Sequence, residues 1–158
     1  HKDALKNWKL VLVGKVEDTA YLDEVISLAK GYPIEIKIDV SRSELIELYK
    51  KAKIYWHATG YKVDEVTHPE MVEHFGISTI EAMAGGCVPV VINKGGQKEI
   101  LGEGLTELLW NTEEECLAKT LSLIDSSTTY AELQKKSLEA VEKFSKPHFE
   151  SVLWEMFK

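Results

Sequence analysis

With 158 residues, 44% of them apolar and 28% charged, the chain has the size and composition of one globular domain with a buried core. A formal charge of −7 argues against a nucleic-acid partner, because a duplex binder needs a basic face to displace counterions. No apolar run approaches the roughly 20 residues that span a bilayer, nothing resembles a secretory leader, and Cys87 and Cys116 lack metal-ligand spacing. Together these features predict a soluble, cytoplasmic protein with reduced thiols and no metal or cofactor.

Along the chain, β-rich apolar runs alternate with amphipathic helical patterns, which predicts an α/β fold: a Rossmann-like, three-layer domain with one parallel sheet covered on both faces. The first strand is LVLVG, Leu10 to Gly14. A helix follows from about Thr19 to Lys30, with Tyr21, Leu22, Val25, Ile26 and Ala29 on one face and Gly31 as its C-cap. IEIKI, Ile34 to Ile38, is the second strand. Ser41 and Glu44 then have the spacing of a capping box at the start of a helix that carries Leu45, Leu48, Tyr49 and Ala52 and ends by Lys53. The third strand, IYWHA, leads into a loop from Thr59 to His74, a length that marks either function or disorder.

A helix opening near Gly76 follows, then the buried strand CVPVVIN, whose Pro89 is expected at the strand's beginning because proline cannot donate to a ladder. A short turn or helix at Gly96 to Leu101 and a strand at Leu105 to Trp110 complete the sheet. Asn111 or Thr112 caps the next helix, whose EEE run reads as charge near a helix N-terminus. Two helices, about Tyr130 to Phe144 and Pro147 to Phe157, end the chain, the last with an apolar face at Trp154, Met156 and Phe157. Cys87 reads as a small buried hydrophobe.

A doubly wound sheet binds ligands beyond the carboxyl ends of its strands, where the loops after Gly14, Ile38, Ala58 and Asn93 are expected. At that end lies EHFGISTIE, Glu73 to Glu81, two glutamates separated by seven residues. A helix beginning near Gly76 offers first-turn amides and the positive end of its dipole to a phosphate, and Gly76 lets the backbone come close. Glu73 and Glu81 are carboxylate acceptors suited to sugar hydroxyls and to a ribose cis-diol. The plainer alternative is one charge near a dipole and one on a solvated face.

Other candidates are weaker. Gly14 ends its strand as the first glycine of a nucleotide fold does, but KVEDTA supplies no further glycine, so the dinucleotide fingerprint is absent and Gly14 reads as a turn glycine that also admits a nucleotide. His74 is the better ligand candidate of the two histidines flanking the long loop, and His57 reads as structural; His68 and Glu70 face solvent. Lys94 and Lys98 bracket Gly95 and Gly96, within reach of an anion.

The segment EHFGISTIEAMAGGCVPVVINKGGQKEI, residues 73 to 100, resembles the donor-binding signature of the retaining glycosyltransferases of family four, which have the two-domain GT-B fold. Several motifs agree in order: the glutamate pair, EAMAGG, CVPVV, and Gly95 and Gly96 followed by Glu99. The resemblance extends more weakly from Leu10 to the C-terminus. It implies a C-terminal domain that binds a nucleoside diphosphate sugar of the GDP-mannose or UDP-glucose type. Glu73 would be the catalytic group orienting the transferred hexose and Glu81 the ribose ligand. The amides of Phe75, Gly76 and Ile77 would meet the diphosphate or hexose, with His74, Gly95 and Gly96 beside them. The nucleobase would be read near Val40, although Asp39 to Ser43 also reads as a helix-entry loop.

The resembling enzymes carry a basic pair on a unit before the first strand and an N-terminal acceptor domain. HKDALKNW reads as the end of that unit, so the sequence is expected to be one truncated donor-binding domain, inactive alone, whose acceptor domain would supply any peripheral membrane association. Two other classes stay open: a non-catalytic nucleotide-binding or interaction module on the same fold, and a hydrolase, whose carboxyls would have to face each other across a sugar cleft.

Overall fold

The computed structural model describes residues 5–158. The chain divides into two compact units, His1–Leu45 and Ile46–Lys158. In the first, strand β1 (Leu10–Gly14) pairs in parallel with β2 (Ile34–Ile38), Leu10 opposite Ile34 and Gly14 opposite Ile38. Helix α1 (Thr19–Ala29) makes the crossover that parallel strands require. Asp18 caps it by accepting from the amides of Ala20 and Tyr21 at 2.8 and 3.2 Å. Its covered stripe, Leu22, Val25 and Ala29, is narrower than the expected face, because Tyr21 and Ile26 are exposed. None of the described residues of this unit is fully buried.

The unit boundary falls within α2 (Arg42–Lys51). Half of the expected capping box forms: Ser41 Oγ accepts from the Glu44 amide at 3.2 Å, while the Glu44 carboxylate turns to Lys37 Nζ at 3.4 Å.

The second unit is built on β3 (Ile54–His57), β4 (Val88–Ile92) and β5 (Leu109–Trp110), all parallel, with β4 central. Every residue of β4 is buried, as a strand covered on both faces must be. Pro89 lies inside the strand, not at its start. The Val88 amide donates to Lys53 O on the β3 side, so residue 89 faces the other way, where β5 pairs only with Val91 and Ile92. The missing N–H therefore costs no ladder bond.

Helix α3 (Ile77–Ala84) buries Thr79, Ala82 and Met83, and Met83 joins the cluster formed by β4, Ile100, Leu101, Leu105, Leu108 and Trp110. Tyr55 Oη donates to Ser78 Oγ at 2.9 Å, tying β3 to the first turn of α3. Helix α4 (Gln97–Leu101) is short. The expected strand from Leu105 is instead a 3₁₀ turn, Thr106–Leu108, followed by the two residues of β5. Leu105 and Leu108, three apart, are both buried, and a 3₁₀ turn puts such a pair on one side.

Thr112 Oγ1 caps α5 (Glu113–Asp125) through the Glu115 amide, and Ser126 Oγ caps α6 (Ser127–Val141) through that of Thr129. Helix α7 (Lys146–Met156) leaves Phe149, Trp154, Met156 and Phe157 exposed. Parallel strands in strand–helix alternation are as expected, but the strands form two hydrogen-bonded sheets where one was expected. Of HKDALKNW, residues 1–4 lie outside the described residues, and residues 5–7 form a turn closed by the Trp8 amide on Leu5 O.

Candidate functional site

The site grows from the junction between the long loop and α3. Gly76 is the N-cap of α3 and has φ +91°, a conformation that a residue with a Cβ rarely adopts. A Cβ there would also lie 2.7 Å from Ile100 Cδ1 and 2.9 Å from Gln97 Nε2. Gly95, with φ +51°, and Gly96 let the loop after β4 press against the same corner. A Cβ on Gly95 would lie 2.2 Å from Glu73 O, and one on Gly96 2.4 Å from His74 O. The Gly96 amide donates to Glu73 O at 2.9 Å. These two glycines thus fix the backbone of Glu73 and His74.

The loop from Ala58 to Gly76 is ordered by its own polar groups. Asp64 Oδ1 accepts from the Val66 amide at 3.0 Å, Thr67 Oγ1 donates to Asp64 Oδ2 at 3.0 Å, and a 3₁₀ turn at Pro69–Met71 brings Val72 into the core. Glu65 grips the glycine loop: its carboxylate accepts from the Gly95 amide at 3.0 Å and pairs with Lys98 Nζ at 2.8 Å. Lys98 first, and the Gly95 amide second, hold the Glu65 carboxyl below its ordinary range. Lys94 Nζ donates to the carbonyls of Gly60 and Val63. Both lysines expected near an anion are therefore tied to this loop.

At the corner itself, Glu73 closes a tight turn with its own side chain. Its Oε1 accepts from the Gly76 amide at 3.0 Å and, more weakly, from that of Phe75 at 3.3 Å. A carboxylate oxygen thus sits on two of the three amides expected to meet a diphosphate, where negative charge is favoured by the helix dipole. The second oxygen, Oε2, lies 3.4 Å from His57 Nε2 at the carboxyl end of β3. The imidazole is almost buried, at 9% side-chain exposure, and burial pushes its pKa below the usual value, with Glu73 pulling it back up. Of its two ring nitrogens, Nε2 faces the Glu73 carboxylate and Nδ1 is buried without a hydrogen-bond partner among the described residues.

The other expected residues fall as follows. Glu81 lies in the second turn of α3, half-buried. Phe75 and Ile77 expose their side chains beside the corner. His74 turns away, its Nε2 3.1 Å from Pro69 O, so that His57 and not His74 reaches Glu73. His68 pairs with Glu70 at 3.3 Å on the surface. In the first unit, Gly14 and Val40 stand at the carboxyl ends of the β1–β2 pair, where the Asp39 amide donates to Gly14 O at 3.1 Å. Among the described residues no cluster of His, Cys, Asp and Glu is arranged to hold a metal ion, and no helix is long and apolar enough to cross a membrane.

Against this geometry the sequence comparisons are specific. Residues 1–141 match the model of the family described as glycosyl transferases group 1. The chain belongs to that family. It is 34% identical, over 94% of its length, to the GDP-Man:Man(3)GlcNAc(2)-PP-Dol alpha-1,2-mannosyltransferase of Dictyostelium discoideum. The proteins of the same name from Mus musculus and Homo sapiens are 31% and 30% identical over 90% of it. The chain spans 29% of the length of each of these curated relatives.

Sequence reasoning missed two parts of this corner. Glu65 sits in an irregular loop with no periodicity to mark it, so only the fold brings it to Gly95. His57 was findable in principle, since it ends a strand on the side where an α/β sheet gathers its ligands. Its role was obscured by the nearer His74, adjacent to Glu73 in sequence but turned away in space.

Proposed function

We propose that this chain forms the donor-binding part of a retaining mannosyltransferase that uses GDP-mannose. The observation that carries the reading is the corner at Gly76, where two backbone amides at the start of a helix already hold an anionic oxygen, with a second carboxylate, Glu81, one turn further along. The choice of GDP-mannose over other donors is supported by the printed names of the relatives.

In this reading the Glu73 carboxylate occupies the place of a donor oxygen until the donor arrives. The Phe75 and Gly76 amides then pass to the donor, and Glu73 turns to accept from hexose hydroxyls. Glu81 accepts from the ribose diol, and fixed amides stabilise the departing diphosphate without reorganising. An acceptor of the kind in the relatives' names, a mannose-ended glycan on a lipid diphosphate, is the matching proposal for the other substrate.

Titration calorimetry with GDP, UDP and ADP tests the donor assignment. GDP is expected to bind in preference to the other two. Glu81→Ala should weaken it roughly 10- to 100-fold, the effect of about 1.5–3 kcal/mol for a hydrogen bond to a charged group. Equal affinities for all three nucleotides, untouched by the substitution, would remove the reading. In the full-length protein, Glu73→Gln is expected to lower turnover more than donor affinity.

A further inference from the structure

Glu73 alone does not explain His57. A nearly buried imidazole at the end of β3 has lost its water, and its Nδ1 is buried with no hydrogen-bond partner among the described residues. One polar contact remains to the ring, the approach of Nε2 to Glu73 Oε2 at 3.4 Å. Tyr55 packs tilted beside it, with ring centroids 6.3 Å apart, which limits rotation without offering a polar partner. An apolar side chain would suit the surroundings of Nδ1 better. What the imidazole adds is one ring nitrogen, Nε2, 3.4 Å from the carboxylate.

We propose that His57 is a positioning residue for Glu73: its Nε2–H holds Oε2 at the corner while Oε1 is exchanged between the Phe75 and Gly76 amides and the hydroxyls of the bound sugar. The inference rests on the transferase reading, in which Glu73 must leave those amides when donor binds. With both oxygens released at once, the carboxylate would swing into solvent, since its side chain is 30% exposed. With Oε2 anchored, it pivots within reach of the sugar. The Gly96 amide holds Glu73 O at 2.9 Å, so the side chain and not the loop makes the exchange.

Three substitutions separate this role from simple packing. His57→Gln keeps an N–H donor near Nε2, His57→Phe keeps the ring without a donor, and His57→Ala removes both. In the full-length protein with GDP-mannose, kcat is expected to fall roughly 10- to 100-fold in the Phe and Ala variants, the scale set by misplacing a reacting group by about 1 Å. The KM for donor should stay within about threefold, and the Gln variant should recover most of the loss. Amide hydrogen exchange at Phe75 and Gly76 gives a second readout that needs no turnover: faster in Phe and Ala, unchanged in Gln. Wild-type kcat in the Phe variant, or exchange at those amides indifferent to all three changes, overturns the proposal. Absence of transfer by the wild type would instead count against the transferase reading, and the exchange data would still decide whether His57 holds Glu73.

Discussion

Gly14 and Gly96 look alike in the sequence, each following an apolar strand, yet the structure gives them opposite tolerances. Around Gly14 a Cβ would meet nothing within 4 Å, whereas at Gly96 it would sit 2.4 Å from the backbone oxygen of His74. Backbone cannot rotate away as a side chain can, so Gly96→Ala is expected to destabilise by about 1–3 kcal/mol, the usual range for overpacking. Gly95→Ala should cost more, because its contact with Glu73 O is closer still and its φ is positive. Gly14→Ala should leave the unfolding free energy within about 0.5 kcal/mol of wild type, as unconstrained surface changes do. Urea titration of the three variants checks the order, and equal midpoints would mean that the glycine loop is not packed as described. Cys87 behaves as its neighbours in sequence suggested: it is fully buried, its Sγ donates to Tyr49 O at 3.2 Å, and burial pushes its pKa to about 11. The partner of Glu73, by contrast, could not be read from residues 73 to 81, because hydrogen bonds between segments depend on which strand ends where.

At the scale of elements, period and capping were legible and neighbourhood was not. The start of α3 at Gly76 and the strand that follows were readable because a glycine N-cap, an apolar stripe and a run of valines are local facts. The pairing of strands into two sheets was not, since alternation of strand and helix fixes direction but leaves adjacency open. The long loop was ambiguous for the same reason: its order comes from Asp64, Glu65 and Lys94 reaching across it. The elements also differ in what they contribute. Met83 on α3 is fully covered by the β4 layer, while Trp154 on α7 is 71% exposed. Met83→Ala should therefore cost about 2–5 kcal/mol through lost burial and a residual cavity. Trp154→Glu should fall within about 0.5 kcal/mol, although tryptophan is the larger residue. Thermal unfolding of the two variants decides; a large loss at Trp154 would mean that the last helix is packed on a surface in solution.

For the whole molecule, stability is expected to be distributed as unevenly as burial. The buried hydrophobic residues of the described chain, from Val72 to Val141, all belong to the unit Ile46–Lys158. In the unit His1–Leu45, β1 and β2 are half-covered, and Val13, Tyr21, Ile26, Leu28 and Ile38 are exposed. Apolar burial contributes roughly 25 cal/mol per Å², so a two-stranded ladder with one helix gathers little of it, and small parallel pairs are marginal on their own. Local opening should follow that division. Amides in β4, buried on both faces, are expected to exchange only through global unfolding, with the full unfolding free energy and the full denaturant dependence. Those of β1 and β2 should exchange through a smaller opening that depends weakly on denaturant and leaves β4 protected. Native-state hydrogen exchange at several urea concentrations measures both. If the strands of the two units merge onto one isotherm at low urea, the chain opens as a single cooperative body and the unequal burial does not set its dynamics. If they stay apart, Gly14 and Val40 stand on the unit that opens first, and a nucleotide that engages them should raise the protection of β1 and β2 more than that of β4.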